Sequence, residues 1–171
     1  MELQLVYGTW ALVGVTFLLV VVTFWLAWRQ NDAVRRDLRA RLQLQFIDRF
    51  DGPKMVKARK ELAQLFHSNA PHDKVKETVM DFFEDMSLFL GRGYLDEELL
   101  WSTFGFYGVR WWAICKGYVL EERKRQSDST LFTDFEDLAR RFLARDTKAG
   151  LTEATPTDLE QFLEDERDLD K

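Results

Sequence analysis

No disulfide can form inside this chain, because it holds a single cysteine, Cys115. One thiol on an apolar stripe reads as a small core residue in a reducing compartment. Histidine is almost as scarce: His67 and His72 are the only two, and five residues apart they do not share a helical face. Too few ligands are left for a zinc site. No glycine-rich nucleotide loop, Gly-x-Ser-x-Gly elbow or cysteine pair occurs. No segment alternates apolar and polar residues between turn pairs, so no sheet is expected. A basic excess is missing too. Residues 145–171 carry four basic and nine acidic groups, which account for the whole net charge of −5. The rest is neutral overall, and nucleic acid is not an expected partner.

Charge is also absent from residues 5–28, a run of 24. As a helix it reaches about 36 Å at roughly 1.5 Å per residue. A hydrocarbon core is about 30 Å thick, so the run is expected to span a bilayer with some tilt. Tyr7 and Trp10 mark one end and Trp25 and Trp28 the other, as amphipathic rings favour both headgroup zones. Five arginines follow: Arg29, Arg35, Arg36, Arg39 and Arg41. Moving one of them to the bilayer centre costs roughly 2.5–3.5 kcal/mol. The amino end should therefore face out, and residues 29–171 should lie in the cytoplasm. A cleaved secretory signal fits poorly: the run is too long, no basic segment precedes it and no small-residue pair follows. The arginines read as a topology signal, with contact to anionic lipid as the sharper alternative.

Residues 29–50 are expected to continue as a basic juxtamembrane helix. Val34, Leu38, Leu42, Phe46 and Phe50 recur every four residues, a stripe that wraps around a 3.6-residue helix. Arg41 and Gln45 interrupt any coiled-coil seam, so the stripe predicts a stalk merging into a core.

A helical bundle of about four helices is expected over residues 51–144. Pro53 opens the first helix, which runs to about Ser68 with Met55, Leu62, Leu65 and Phe66 inward. The second covers about 73–90 and is apolar on two sides, with Met80 and Leu88 opposite its main face. Gly91 and Gly93 end it. Asp96 is the next N-cap, ahead of a helix over about 96–126. Gly105 and Gly108 inside that helix imply either a break there or close approach of a neighbour, and the apolar stripe, which keeps phase across both, favours close approach. Thr133 and Glu136 have capping-box spacing for a helix to about Ala144. Residues 145–171 form an acidic tail, expected to be mostly disordered. Thr155, Pro156 and Asp158 make a helix start there, and such a short helix could dock into a partner's groove.

Glu84 lies between Met80 and Leu88 on the second apolar side, and a buried carboxylate needs a partner. Arg123 follows Trp112 and Val119 along one face, so a structural Glu84–Arg123 ion pair is expected, with Arg110 as the alternative. Asp81 and Asp85 read as a solvated acidic face.

Residues 79–100 (VMDFFEDMSLFLGRGYLDEELL), 108–123 (GVRWWAICKGYVLEER) and 131–143 (LFTDFEDLARRFL) resemble a bacterial family of helical proteins, domain of unknown function 4760. The resemblance covers about residues 44–143. It implies a membrane helix ahead of a helical domain, and it implies no reaction. The expected function is thus a single-pass, membrane-anchored cytoplasmic module in protein interaction or assembly. Its partners would be the inner-membrane bilayer and a protein or a second copy; no catalytic, cofactor or metal residue is assigned. The alternatives are a membrane-bound enzyme with a site near Glu84 and a membrane-acting effector that self-associates. The absence of a small-residue seam in the apolar run argues against the effector.

Overall fold

The computed structural model describes the backbone of residues 2–68 and 75–169, and the side chains of residues 14–29, 34, 37–68 and 75–169. Among the described residues it is all-helical, with six α-helices: α1 (Glu2–Asp51), α2 (Pro53–His67), α3 (Thr78–Gly91), α4 (Glu97–Gln126), α5 (Thr133–Lys148) and α6 (Pro156–Arg167). The chain forms two compact units, Met1–Arg41 and Leu42–Lys171.

The first unit is the leading part of α1. Its large apolar side chains stand in the open: Phe17 is 71% exposed, Phe24 74% and Trp28 66%. Thr23 returns its hydroxyl to the Leu19 carbonyl at 2.7 Å, so it adds no unpaired polar group to this surface. Among the described residues no helix is long and apolar enough to cross a membrane. The described side chains of the charge-free run begin only at Gly14. Residues 14–28 reach about 22 Å as helix, short of the roughly 30 Å of a hydrocarbon core.

The second unit opens with the last residues of α1. Phe46 and Phe50 are buried and Leu42 packs against the same core, whereas Val34 and Leu38 are exposed. Phe50 meets the rings of Phe82 and Phe104 at 5.4 Å and Tyr107 at 4.8 Å. The bundle therefore begins at Leu42, not at residue 51 as the punctuation at Gly52-Pro53 suggests. That punctuation bends the chain without ending the core.

Proline at its first position starts α2, as expected. The next helix starts later than its apolar pattern predicts: Val75 and Lys76 are not helical, and α3 begins at Thr78. Its main face is fully buried through Val79, Phe82, Phe83 and Met86. Of the two residues on the other side, Met80 is buried and Leu88 is 40% exposed. Asp96 caps α4 by accepting the Leu99 N–H at 2.9 Å. That helix then runs unbroken past both glycines. At Gly108 an added Cβ would lie 3.1 Å from Phe142 and 3.5 Å from Phe83, so the missing side chain is where α3 and α5 close on α4. At Gly105 the same space is taken by the Trp101 ring, which folds back to give its indole N–H to Asp146 of α5 at 2.7 Å.

Two helices depart from the sequence reading. The capping box expected at Thr133 is not formed; Thr133 is already helical and Phe132 precedes it in the left-handed conformation, at φ 55°. A bulky residue there costs roughly 1–2 kcal/mol, and the buried Phe132 ring offsets it. The helix runs on to Lys148, beyond the expected Ala144. The acidic tail is not a loose appendage either. Thr155 and Asp158 form the capping box, and α6 packs against α2 and touches α4. Phe162 sits 5.2 Å from the Trp111 ring and 5.9 Å from Phe106. Burying such an aromatic side chain stabilises by about 1.5–3 kcal/mol.

Candidate functional site

Of the residues expected at a membrane interface, Tyr7, Trp10, Arg35 and Arg36 lie outside the described side chains. Trp25 and Trp28 are exposed, and the Arg29 guanidinium lies 5.0 Å over the Trp25 ring. That stacking is the cation–π contact open to an arginine one turn after a tryptophan.

Glu84 and Arg123 do not pair with each other. Both act at the start of α5. The Glu84 carboxylate accepts the backbone N–H of Phe135 at 2.5 Å. Arg123 donates to the Leu131 carbonyl at 2.8 Å and to Glu136 at 2.9 Å. The reason is local. Phe132 offers no acceptor at the N-cap position, so an orphan helix N–H is left for α3 to satisfy. Glu136, one turn into α5, then takes the arginine. Burial raises the Glu84 pKa, opposed by its hydrogen bond from Phe135 and by the nearby Arg123 charge. With its oxygen committed to the backbone, Glu84 is a structural cap. Arg110 is no substitute partner: its guanidinium stacks 3.6 Å over the Phe106 ring.

A second charged pair was not anticipated. Arg59 of α2 and Glu166 of α6 are each 3% exposed, with Nε 3.4 Å from Oε2 and Nη1 3.5 Å from Oε1. The guanidinium lies 4.0 Å over Phe50 and 5.7 Å from the Tyr107 ring. Burial pushes the Glu166 carboxyl up to about 7, against the attraction of Arg59. The signal was present in the sequence. Arg59 sits four residues after Met55 and three before Leu62, and Glu166 four after Phe162: each is a charge on an apolar stripe.

Elsewhere, a groove of about 370 Å³ runs between α4 and α5, with Val109, Trp112 and Leu143 among its lining residues. Lys116, Arg140, Glu136 and Glu153 mix both signs around it and select no ligand charge. Cys115 is fully buried, and burial raises its thiol pKa, away from the thiolate that nucleophilic chemistry needs. Among the described residues no group of three or more His, Cys, Asp or Glu side chains is placed to hold a metal ion.

These features define an all-helical bundle with an apolar core and a few buried polar groups that tie helices together. Residues 16–142 match the family described as a domain of unknown function, DUF4760, and the chain belongs to that family. The match starts inside the apolar run, earlier than the resemblance over about residues 44–143, and stops within α5, ahead of α6. Neither curated proteins nor solved structures give a significant match to the chain.

Proposed function

We propose that the chain is a single-pass, membrane-anchored module of the bacterial inner membrane, with its amino end outside and its helical bundle in the cytoplasm, acting through protein contacts. The observation that carries this reading is the 24-residue run without charge, followed at once by five arginines. Water is a poor solvent for a surface on which Phe17, Phe24, Trp25 and Trp28 are all at least half exposed. Lipid is a good one, and a helix satisfies its own backbone there. The positive flank sets the orientation. An interaction role is favoured because the buried polar groups at the start of α5 and between α2 and α6 are committed to holding helices together.

Membrane fractionation with an alkaline wash tests the anchor. The intact chain should stay with the pellet, and a Leu19→Arg variant should shift partly to the supernatant, given roughly 2.5–3.5 kcal/mol for an arginine at mid-bilayer. Reporter fusions at the two ends test the orientation, with a fluorescent protein active at the C-terminus only. An intact chain found wholly in the soluble fraction would overturn the reading.

A further inference from the structure

The groove that α6 fills is built by other helices and shaped for a particular occupant. Arg59 of α2 lies in it beside the Phe50 and Tyr107 rings. Phe106, Tyr107 and Trp111 of α4 make its aromatic wall. The occupying helix brings Phe162 to the wall and, one turn on, Glu166 to Arg59. Residues four apart share a helical face, so the recognised pattern is an aromatic and a carboxylate one turn apart on an acidic helix.

Three observations mark α6 as separable from the groove. The family match includes α2 and α4 but ends at residue 142, before α6 begins. The buried pair is loosely made: its contacts are 3.4 and 3.5 Å, and Arg59 Nε and Glu166 Oε2 form no hydrogen bond among the described residues. Well-formed arginine–carboxylate bonds are about 2.7–2.9 Å long. The connection is also open to solvent, with Leu151, Thr152 and Glu153 all exposed.

We propose that this groove also takes α6 from a second copy of the chain, so that neighbouring copies exchange their C-terminal helices. The proposal rests on the membrane-anchored, protein-binding reading and names the partner. Every neighbouring copy carries the helix whose fit to Arg59 and the aromatic wall is displayed here. Copies anchored on one face of a bilayer present that helix at high local concentration, against an effective concentration of about millimolar for the tethered one. The exchange keeps every contact of the closed chain and changes only which copy supplies it.

The test uses two full-length chains with different tags, produced together, extracted in mild detergent and captured on one tag. Exchange predicts that the second chain is captured, and that capture stays near the wild-type level when both chains carry Arg59→Ala or both carry Glu166→Ala, because closed and exchanged forms then lose the same contact. Capture rises several-fold above wild type when one chain carries each substitution, because only exchange seats the intact α6 of the Arg59→Ala copy in the intact groove of the Glu166→Ala copy. Circular dichroism reports whether each variant stays helical. Deleting Thr152 and Glu153 is the independent arm: it leaves groove and helix untouched but shortens the return path, and exchange predicts a dimer by light scattering. The proposal is overturned if wild-type chains in the membrane fraction fail to co-purify. It is overturned equally if the mixed pair is captured no better than wild type, or if the shortened chain is a monomer. Chains that never reach the membrane fraction overturn the anchoring reading instead.

Discussion

Glu84 of α3 caps a helix it does not belong to: its carboxylate holds the backbone N–H of Phe135, the third residue of α5. The Phe132 backbone turns into the left-handed region just before that helix, and its side chain accepts nothing. A carboxylate 51 residues earlier in the chain takes the place of the usual serine or aspartate.

Replacing Glu84 by alanine should therefore lower the stability of the bundle by about 2 kcal/mol, the scale of a hydrogen bond to a charged group. Glutamine keeps an acceptor oxygen and should recover about half of that loss. Chemical denaturation of the detergent-solubilised chain, followed by circular dichroism, measures both. Equal losses for the two variants would show that charge, not the hydrogen bond, matters at this position.

Arg59 and Glu166 should show the asymmetry of a buried ion pair. Above pH 7, where Glu166 is ionised, Arg59→Ala leaves its carboxylate buried without a counter-charge and should cost up to roughly 3–5 kcal/mol, less where Glu166 can take up a proton. Joint replacement by Arg59→Met and Glu166→Leu removes both charges and should restore most of that stability. A double-mutant cycle by denaturant titration reads the coupling.

The same pair predicts a pH dependence of definite sign. Burial lifts the Glu166 carboxyl from its ordinary 4.5 to about 7, so the folded chain holds this proton more tightly than the unfolded one. Its stabilising contribution is complete below pH 4.5, is lost as pH rises through the interval from 4.5 to 7, and stays lost above it. Glu166→Gln removes the titration. The melting temperature of the variant relative to wild type should thus be higher at pH 8 than at pH 5, with a ceiling of about 3 kcal/mol on the difference.

Two glycines of α4 should respond oppositely to alanine. At Gly108 the new methyl meets Phe142 and Phe83, and overpacking should cost about 1–3 kcal/mol. At Gly117 it meets nothing within 4 Å, and the helix gains about 0.5–1 kcal/mol. Thermal melts of the two variants should move in opposite directions.

Most helices were legible because their starts and stops are local chemistry. Asp96, Pro53 and the Thr155–Asp158 box each act on backbone groups within a turn, and each stands where its residue type predicts. The start of α5 was not legible, because Thr133 offers the right spacing while the cap that forms comes from α3. Glu84 was rightly seen as a carboxylate needing a partner, but the sequence did not reveal that the Phe135 N–H would supply it and that Glu136 would take Arg123. The acidic tail misled for another reason. Its composition suits solvent, whereas its fate is decided by Phe162, Leu163 and Glu166, which meet a surface made far away in the chain. Arg59 carried a readable sign, a cation among Met55, Leu62 and Ala63, that an apolar-only reading of the stripe passes over.

Phe46 and Phe50 have a practical meaning for anyone who wants the bundle free of its leading segment. Cutting at Asp51, where glycine and proline advertise a boundary, would remove two rings from the interior and leave Phe82, Phe104 and Tyr107 facing a void. Such a fragment should be sticky and poorly behaved. One that starts ahead of Leu42 carries its own plug.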